Sequence, residues 1–483
     1  METRRYDAVI IGAGQGGGPL AGALASAGRH TALVERAHVG GTCVNCGCTP
    51  SKTMAASARV AWLADRAHDY GVIAGDVAVD LDAVRERKRR VVEQFREGSE
   101  RALRKAGVEL IHGSARFAGY HEIEVTPPAG TSSAPAFRAV ADIVVINTGA
   151  RPARVRIPGL EDVTLLDSTS IMELGELPSH LAVIGGGYVA VEFAQMFRRF
   201  GGAVTVLQRR SQLLRREDAD VAECLTRILR EDGIDVLLDA RVLAGRRMPG
   251  EIRLKVRTAG ADRVIDASHV LAAAGRVPNT EVLQLEATGV ATTADGHVVV
   301  NELLETTTRG IYAIGDVKPG PAFTHISYDD FRILRTNLLE GGSATTKGRV
   351  VPYTVFTDPQ LAGVGMTERE ARKEGRRIRI AKLAAGDVAR AIETSETRGM
   401  LKAVVDADSD RVLGCSMIAA SGGELMTMVQ IAMMGGLPYG RLRDATIAHP
   451  TFGEALNNLF ASLAPGKPTE REREARTGAA HTT

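Results

Sequence analysis

A glycine-rich pattern between an apolar strand and a helix constrains this chain more than any other feature, and it occurs twice. The first copy follows the β-branched run YDAVII, where Gly12, Gly14 and Gly17 satisfy G-x-G-x-x-G. The next apolar strand, TALVE, ends in Glu35, where a dinucleotide-binding fold places its ribose-binding acid. An unrelated glycine-rich turn does not need strand, helix, strand and acid in register. The first copy therefore predicts a Rossmann-like domain.

The second copy lies in LAVIGGGYVAVEFA and leads through a helix into the strand AVTVLQ. Gly185, Gly187 and Ala190 give G-x-G-x-x-A, a variant of the same fingerprint. Two such folds in one chain imply two dinucleotides, or one flavin and one nicotinamide. This pairing indicates electron transfer between the two.

The remaining sequence adds at least one more domain. The 483 residues are too many for one compact core. From Val351 onward, short apolar strands mix with Met- and Ala-rich helices, unlike either glycine-rich region. The predicted fold class is α/β, with two Rossmann-like dinucleotide-binding domains and an α+β C-terminal domain.

Charge and hydropathy exclude several classes of protein. The net charge is +2 and basic residues are interspersed with acidic ones, so no basic stripe indicates a nucleic-acid partner. No apolar run reaches the roughly 18 residues of a membrane helix. The N-terminus is charged and then apolar, as in a signal peptide, but its apolar run is too short and is interrupted by glycines. We therefore expect a cytoplasmic protein without membrane or nucleic-acid partners.

Three of the five cysteines lie within GGTCVNCGCTPSK, residues 40–52. Four residues separate Cys43 from Cys48, with Pro50 and Lys52 just beyond. Two thiols at a helix entrance can close a disulfide when the first turn is distorted, and a proline favours such distortion. A helix N-terminus and a nearby cation also lower a thiol pKa. In a reducing compartment this cluster indicates redox or metal chemistry.

With these motifs the sequence resembles the pyridine nucleotide-disulphide oxidoreductases, the flavoprotein disulphide reductases that include glutathione reductase, dihydrolipoamide dehydrogenase and mercuric reductase. The resemblance covers residues 5–463. It implies a FAD-binding domain over 1–150 and 281–350, an NAD(P)H-binding domain over 151–280, a dimerisation domain over 351–463 and a disordered tail over 464–483. It also implies FAD contacts from Gly12, Gly14, Gly17, Glu35, Gly41, Thr42, Lys52, Thr148, Gly149, Asp316 and His325.

The same resemblance assigns roles around the cysteines. Cys48 becomes the thiol on the flavin side, in a charge-transfer pair with the isoalloxazine, and Cys43 the outer thiol that attacks the substrate. Lys52 is expected near the reactive nitrogen of the flavin, paired with Glu192. Tyr188 matches the aromatic gate over the nicotinamide pocket, although a tyrosine used only for packing would give the same sequence.

Cys46 departs from the better-known members of the family. One interpretation is a small packing residue without chemistry. The other is a third thiol that exchanges disulfides with Cys43 or helps to hold a soft metal ion. Three cysteines make an incomplete tetrahedral site, so no structural zinc is expected. Cys224 and Cys415 are isolated in sequence and are interpreted as packing residues.

Near the C-terminus, HPTFGE places His449 and Glu454 at the spacing of the HPTxxE signature of the family. A thiol that leaves a mixed disulfide needs a proton donor, and histidine titrates in a suitable range. In the family this pair reaches the cysteines of the other subunit, so the resemblance implies a homodimer. The His449–Pro450 bond is a candidate for the cis isomer, which the sequence alone does not decide.

The second fold predicts NADPH as the nicotinamide. NAD enzymes usually end the second strand with an acid that binds the ribose 2′-hydroxyl, and here Gln208 takes that place. Cations next to it suit a 2′-phosphate, although arginines on an exposed surface would give the same pattern. The residues predicted to contact NADPH are Gly185, Gly187, Tyr188, Ala190, Arg209, Arg210, Arg215 and Gly275.

The electron acceptor stays open between a small disulphide and a soft metal ion. Mercuric reductases carry a vicinal cysteine pair near the C-terminus, and no cysteine follows Cys415. Gln208 with its arginines counts against a dihydrolipoamide dehydrogenase. The segment FTHISYDDFRIL is similar to a branch near mercuric reductase and a bacterial copper(II) reductase. The leading hypothesis is electron flow from NADPH through FAD and the Cys43–Cys48 disulfide to a small disulphide.

Overall fold

The computed structural model describes residues 1–128 and 135–463, which group into two units. The first unit contains residues 1–214 and 229–351, and the second contains residues 215–228 and 352–463, without the residues that are not described. The predicted tail, residues 464–483, lies outside the described residues. The domain boundaries proposed from the sequence stay a prediction.

The first unit is built around a mixed sheet whose strands run in the order β3-β2-β1-β6-β5-β4, with β16 beside β6. The strands β1, β2, β3, β6 and β16 are parallel, so their carboxyl ends share one edge of the sheet. The bounds are β1 Glu2–Ile11, β2 Thr31–Glu35, β3 Glu109–His112, β4 Ser114–Gly119, β5 Glu122–Thr126, β6 Phe137–Ile146 and β16 Ile311–Ala313.

Both faces of this sheet are covered, which explains the continuous apolar run at the start of the chain. Ile10 packs on one face in a cluster with Leu20 and Phe331, whereas Val9 packs on the other with Phe117. The helices of this part are α1 Gly17–Ser26, α2 Gly41–Cys46, α3 Cys48–Asp65, α4 Leu81–Lys105 and α7 Thr324–Leu339.

The second glycine-rich loop belongs to a separate parallel sheet with strand order β10-β9-β8-β14. Two small antiparallel sheets accompany it, β11-β12-β13 and β15-β7. The bounds are β7 Ala150–Pro152, β8 His180–Ile184, β9 Ala203–Leu207, β10 Asp235–Leu237, β11 Arg241–Met248, β12 Glu251–Thr258, β13 Ala261–Ala267, β14 His269–Ala272 and β15 Arg276–Pro278, with helix α5 Tyr188–Arg199. Helix α6, Ala219–Glu231, belongs for most of its length to the second unit.

The second unit contains an antiparallel sheet in the order β17-β18-β21-β20-β19, with α10 against one face. Buried Leu361, Met417 and Val429 belong to its apolar interior. The bounds are β17 Pro352–Val355, β18 Gln360–Gly365, β19 Ile378–Ala384, β20 Met400–Asp406 and β21 Val412–Ala419, with α8 Glu368–Lys373, α9 Ala389–Glu393, α10 Gly422–Met434, α11 Tyr439–Arg443 and α12 Ala455–Ala461. The fold class predicted from the sequence is confirmed.

Candidate active site

The first glycine-rich loop follows β1 at the shared carboxyl edge of the main sheet. It packs directly on the backbone of Asn147: a Cβ built on Gly12 would lie 2.4 Å from the Asn147 carbonyl oxygen. The Asn147 amide also accepts a hydrogen bond from the Gly17 N–H at 2.9 Å. Among the described residues, the backbone N–H groups of 14–16 find no acceptor. These donors, just before α1, suit a pyrophosphate.

Two carboxylates flank that loop. Glu35 is the last residue of β2 and accepts from the N–H groups of Ala13 and Ala37, each at 2.9 Å. Asp316 follows β16, and within the described ranges its carboxylate accepts no hydrogen bond. Burial raises the pKa of Asp316, and the charge of Arg276 opposes that rise. A ribose beside Glu35 and a polyhydroxyl chain beside Asp316 would supply donors, so the residues present fit FAD.

The other residues predicted to contact FAD are spread over three places in the first unit. Gly41 and Thr42 begin α2. Thr148 donates through its hydroxyl to the Asn279 carbonyl at 2.9 Å, and the next residue, Gly149, accepts from the Asn279 N–H. His325 lies in the first turn of α7. Their proposed contacts with FAD stay a prediction.

The second glycine-rich loop repeats the first at the carboxyl end of β8. Gly185 approaches the carbonyl of Ala273, and the N–H groups of Gly186 and Gly187 have no acceptor in the part of the chain that the structure describes. Tyr188 begins α5, and Ala190 is buried inside that helix. This arrangement can take a second pyrophosphate.

The predicted selectivity residues follow β9 and β14. Gln208, after β9, donates to the Gln212 carbonyl at 2.8 Å. Arg209 and Arg210 are exposed, and neither forms an ion pair with a carboxylate of residues 1–128 or 135–463. Arg215 is also exposed and belongs to the second unit, and Gly275 follows β14. Arg209 and Arg210 are therefore available to an anionic ligand.

The cysteine motif spans two helices rather than the single distorted one expected from the sequence. Helix α2 ends at Cys46, and Gly47 breaks the chain direction with φ −127° and ψ −114° before Cys48 begins α3. Pro50, which lacks an N–H, stands in the first turn of α3, where an N–H group would have no acceptor within the helix. Cys48 thus lies at the N-terminus of an 18-residue helix.

The Cys43 and Cys48 thiols interact with each other, and this interaction moves their pKa values in opposite directions. The Cys43 thiol, Thr324 and Lys52 together lower the pKa of Cys48 to about 6, while burial and the charge of Glu192 act in the opposite direction. The same interaction raises the pKa of Cys43, and burial adds to that effect. At neutral pH one thiolate is therefore stable, and it is Cys48.

An ion pair stands one turn from Cys48. Lys52 donates to both carboxylate oxygens of Glu192, at 3.0 and 2.8 Å. The Glu192 side chain is only 9% exposed, and burial of this kind requires a charge partner. The predicted Lys52–Glu192 pairing is present in the structure.

Cys46 has different neighbours. Burial raises the pKa of its thiol, against the Thr169 hydrogen bond and the charge of Arg276. These surroundings favour a protonated packing thiol over a nucleophile. Within the described residues, no group of three or more His, Cys, Asp or Glu side chains is arranged to hold a metal ion. Cys224 and Cys415 are both buried.

The C-terminal pair is formed within the second unit. His449 Nδ1 lies 2.9 Å from Glu454 Oε2. A carboxylate only accepts, so Nδ1 carries the proton and Nε2 remains for proton exchange. The His449 side chain is 66% exposed, and the His449–Pro450 peptide is cis.

Sequence reasoning missed three polar contacts of the site. Asn147 orders the first glycine-rich loop, Thr324 contacts the thiols and Thr169 contacts Cys46. Asn147 carries a weak signal, because it is a polar residue directly after the apolar strand VVI. The two threonines carry none, since their partners are far away in sequence.

Comparison with known proteins places the chain in a family. The family model described as "Pyridine nucleotide-disulphide oxidoreductase" matches residues 6–330, and the corresponding dimerisation-domain model matches residues 351–460. Across residues 1–128 and 135–463, no helix is both long and apolar enough to span a bilayer.

Relatives align along nearly the whole chain. A probable pyridine nucleotide-disulfide oxidoreductase, RclA of Escherichia coli, is 39% identical, covering 95% of this chain and 99% of its own. A Staphylococcus aureus mercuric reductase is 35% identical, covering 93% and 81%. A Geobacillus stearothermophilus dihydrolipoyl dehydrogenase is 30% identical, covering 96% and 97%. A solved Cu(II) complex of HOCl-induced flavoprotein disulfide reductase RclA superimposes with TM-score 0.86 at 38% identity, covering 95% and 99%.

Proposed function

The chain belongs to the pyridine nucleotide-disulphide oxidoreductase family, as the resemblance predicted, and we propose that within it the protein is an NADPH-dependent reductase of a small disulphide. The family uses FAD and a pyridine nucleotide. NADPH, the disulphide acceptor and the roles of individual residues are the proposal.

The observation that carries this proposal is the asymmetry of Cys43 and Cys48. One thiol of a reductase must persist as a thiolate while the other exchanges with the substrate. The pKa of Cys48 is lowered to about 6, whereas the pKa of Cys43 is raised. Cys48 is then the resting thiolate and Cys43 the exchanging thiol.

FAD, held by the first glycine-rich loop with Glu35 and Asp316, supplies the two-electron chemistry that joins the nicotinamide to the thiols. Lys52 is the cation that faces the flavin, and Glu192 fixes its ammonium group. Tyr188 covers the nicotinamide site, beside the glycines of the second loop. The remaining FAD contacts are those predicted from the sequence.

The thiol steps follow from the chain's own groups. Cys43 passes its proton to His449 Nε2 of the other subunit and attacks the substrate disulphide, forming a mixed disulphide. The leaving thiolate takes that proton. The Cys48 thiolate then attacks the Cys43 sulfur, which closes the Cys43–Cys48 disulfide and releases the second half of the substrate as a thiolate. Glu454 holds the imidazole tautomer throughout.

This sequence of steps requires a homodimer, which the dimerisation-domain match supports. Helix α10 in that region exposes Met428, Ile431 and Met434 by 46, 65 and 70%. They are spaced by three residues and so lie along one side of the helix. An exposed apolar stripe of this kind suits a second copy of the chain.

The residues that follow β9 favour NADPH over NADH. Gln208 replaces the acid that would repel a 2′-phosphate, and exposed Arg209 and Arg210 can pair with it. Arg215 adds a further positive charge in the same sequence segment. Gly275, which has φ +125°, forms the turn after β14.

The direct test is NADPH oxidation by the FAD-loaded protein with glutathione, mycothiol, lipoamide and natural-product disulphides. We expect turnover with at least one of them and preference for NADPH over NADH. Cys43→Ser and Cys48→Ser should abolish it, whereas reduction of a dye that needs no thiol should persist in both. If no disulphide turns over, or if turnover survives either substitution, the proposal is wrong.

Reduction of a soft metal ion is the second candidate, favoured by the mercuric reductase relatives and by the Cu(II) complex of RclA. Cys43 and Cys48 would supply two soft sulfur ligands. His449→Gln separates the candidates, because only a leaving thiol needs the proton. Disulphide turnover should fall at least tenfold in this variant. Turnover of copper(II) or mercury(II) that is unaffected, with no disulphide turnover in the wild type, would favour the metal.

A further inference from the structure

The geometry around Cys48 points to a further residue of the redox pair. The Thr324 hydroxyl lies 3.3 Å from the Cys48 sulfur, although 276 residues separate them in sequence. We propose that Thr324 is a positioning residue, whose hydroxyl donates to Cys48 and holds it as the thiolate. This inference rests on the proposed function only in taking Cys43 and Cys48 as the redox pair.

The direction of this hydrogen bond follows from the chemistry of the two groups. A thiolate has no proton, so in the thiolate state only the hydroxyl can donate. Thr324 is the first residue of the 16-residue helix α7, and Cys48 is the first of α3. The positive ends of two helix dipoles therefore meet at one sulfur, which adds to the stabilisation of a negative charge.

The position of the hydroxyl is fixed by its neighbours. The ring of Phe323 is stacked near Tyr188, with centroids 6.4 Å apart, and near His325, with centroids 5.3 Å apart. The Phe323 carbonyl also accepts from the N–H groups of Ile326 and Ser327. The backbone that carries Thr324 is thus held on both sides, which keeps the donor aimed at the sulfur.

Four groups act on the Cys48 thiol from the helices packed around it. Cys43 on α2 and Thr324 on α7 hydrogen-bond to it, while Lys52 on its own helix α3 and Glu192 on α5 act by charge. Lys52 lowers the pKa of Cys48 and Glu192 raises it, because their charges are opposite, and the two side chains form an ion pair. When Cys43 is bound in a mixed disulphide its thiol can no longer donate, and the Thr324 bond then matters most.

The test compares Thr324→Val, which removes the hydroxyl at nearly constant shape, with Thr324→Ser, which keeps it. The reduced, FAD-loaded protein is titrated with acid while the long-wavelength absorbance of a thiolate against the flavin is recorded. We expect the midpoint to rise by about one pH unit in Thr324→Val, since a hydrogen bond to a charged group is lost. Thr324→Ser should retain the wild-type midpoint, and Thr324→Ala is a second hydroxyl-free variant if the valine protein does not fold.

Cys46 is an internal control, because its hydrogen bond comes from Thr169. Its alkylation rate against pH, followed by mass spectrometry in the same proteins, should be identical in all variants. A midpoint unchanged in Thr324→Val, or shifted equally in Thr324→Ser, would overturn the inference while leaving the proposed function intact. A wild-type protein without any thiolate band would remove the redox pair itself, and the inference with it.

Discussion

The two glycine-rich loops share a backbone device and differ at the strand that follows. Gly12 and Gly185 both have positive φ, +103° and +126°, and a Cβ at either would lie 2.4 Å from a carbonyl oxygen, of Asn147 or of Ala273. These first glycines therefore serve the turn itself. The turn is a property of the fold and is indifferent to which dinucleotide is bound.

The strand ends differ in charge. Glu35 accepts two backbone hydrogen bonds beside the first loop, whereas Gln208 donates to its own chain and precedes two exposed arginines. The first end suits hydroxyl donors and the second suits an anion. The two folds therefore differ in charge at the position after their second strand, where a ribose would bind.

The largest effect is expected from Gly12→Ala. The new Cβ would collide with the Asn147 carbonyl in a backbone region that alanine rarely adopts, at a cost of roughly 3 kcal/mol or more. The protein should lose FAD and melt at a lower temperature, as measured by flavin content and calorimetry. Gly185→Ala is the matched control: it should destabilise the second fold similarly while FAD remains bound. Retention of FAD by Gly12→Ala would contradict the assignment of the first loop.

Much of the fold and of the site could be predicted from short-range patterns in the sequence. Strand, glycine turn, helix and strand occur within about thirty residues, so the backbone strains that require glycine are visible in the sequence. Glu35 was predicted because it stands at a fixed spacing from such a landmark, whereas the Lys52–Glu192 pair was implied by the resemblance to the family. The structure has Glu35 at the end of β2 and the ion pair formed.

Local sequence patterns could not predict the contacts between segments that lie far apart in the chain. Asn147 reaches the first loop through strand pairing, and Thr324 reaches Cys48 across 276 residues. The break at Gly47 was also missed, because Gly47 reads as an ordinary residue between two helix-compatible stretches. Such features depend on tertiary packing, which overrides local propensity.

A carboxylate placed after β9 would give the second fold the charge that Glu35 gives the first. Gln208→Glu should lower the ratio of kcat/KM for NADPH to that for NADH by about a hundredfold, or roughly 2.7 kcal/mol, because a carboxylate repels the 2′-phosphate and accepts from a 2′-hydroxyl. Arg209→Ala should move the ratio the same way. The control Arg263→Ala, an exposed arginine on β13, should leave it unchanged. An unaltered ratio in both test variants would place nicotinamide selectivity elsewhere.

A smaller effect is expected at the first strand end. Glu35→Gln keeps the size of the side chain but removes its charge, which weakens the bonds from Ala13 and Ala37 and any bond from a ribose. FAD affinity should fall about tenfold, measured by reconstitution of the stripped protein. NADPH kinetics of the fully loaded variant should be normal. A loss of NADPH affinity with normal FAD binding would mean that the two folds had been assigned in the wrong order.

The smallest effect on stability is expected from Gly187→Ala. Gly187 has φ −86°, and no atom of the described chain lies within 4 Å of a Cβ there, whereas the same atom at Gly14 would lie 2.8 Å from the Asn147 side chain. The free energy of unfolding should change by less than about 0.5 kcal/mol. The KM for NADPH should still rise several-fold, because the space that the methyl enters is the space that a pyrophosphate approaches. FAD content is the control and should not change. A large loss of stability would show that this glycine serves the turn, as Gly12 does, and an unchanged KM would show that no ligand approaches it.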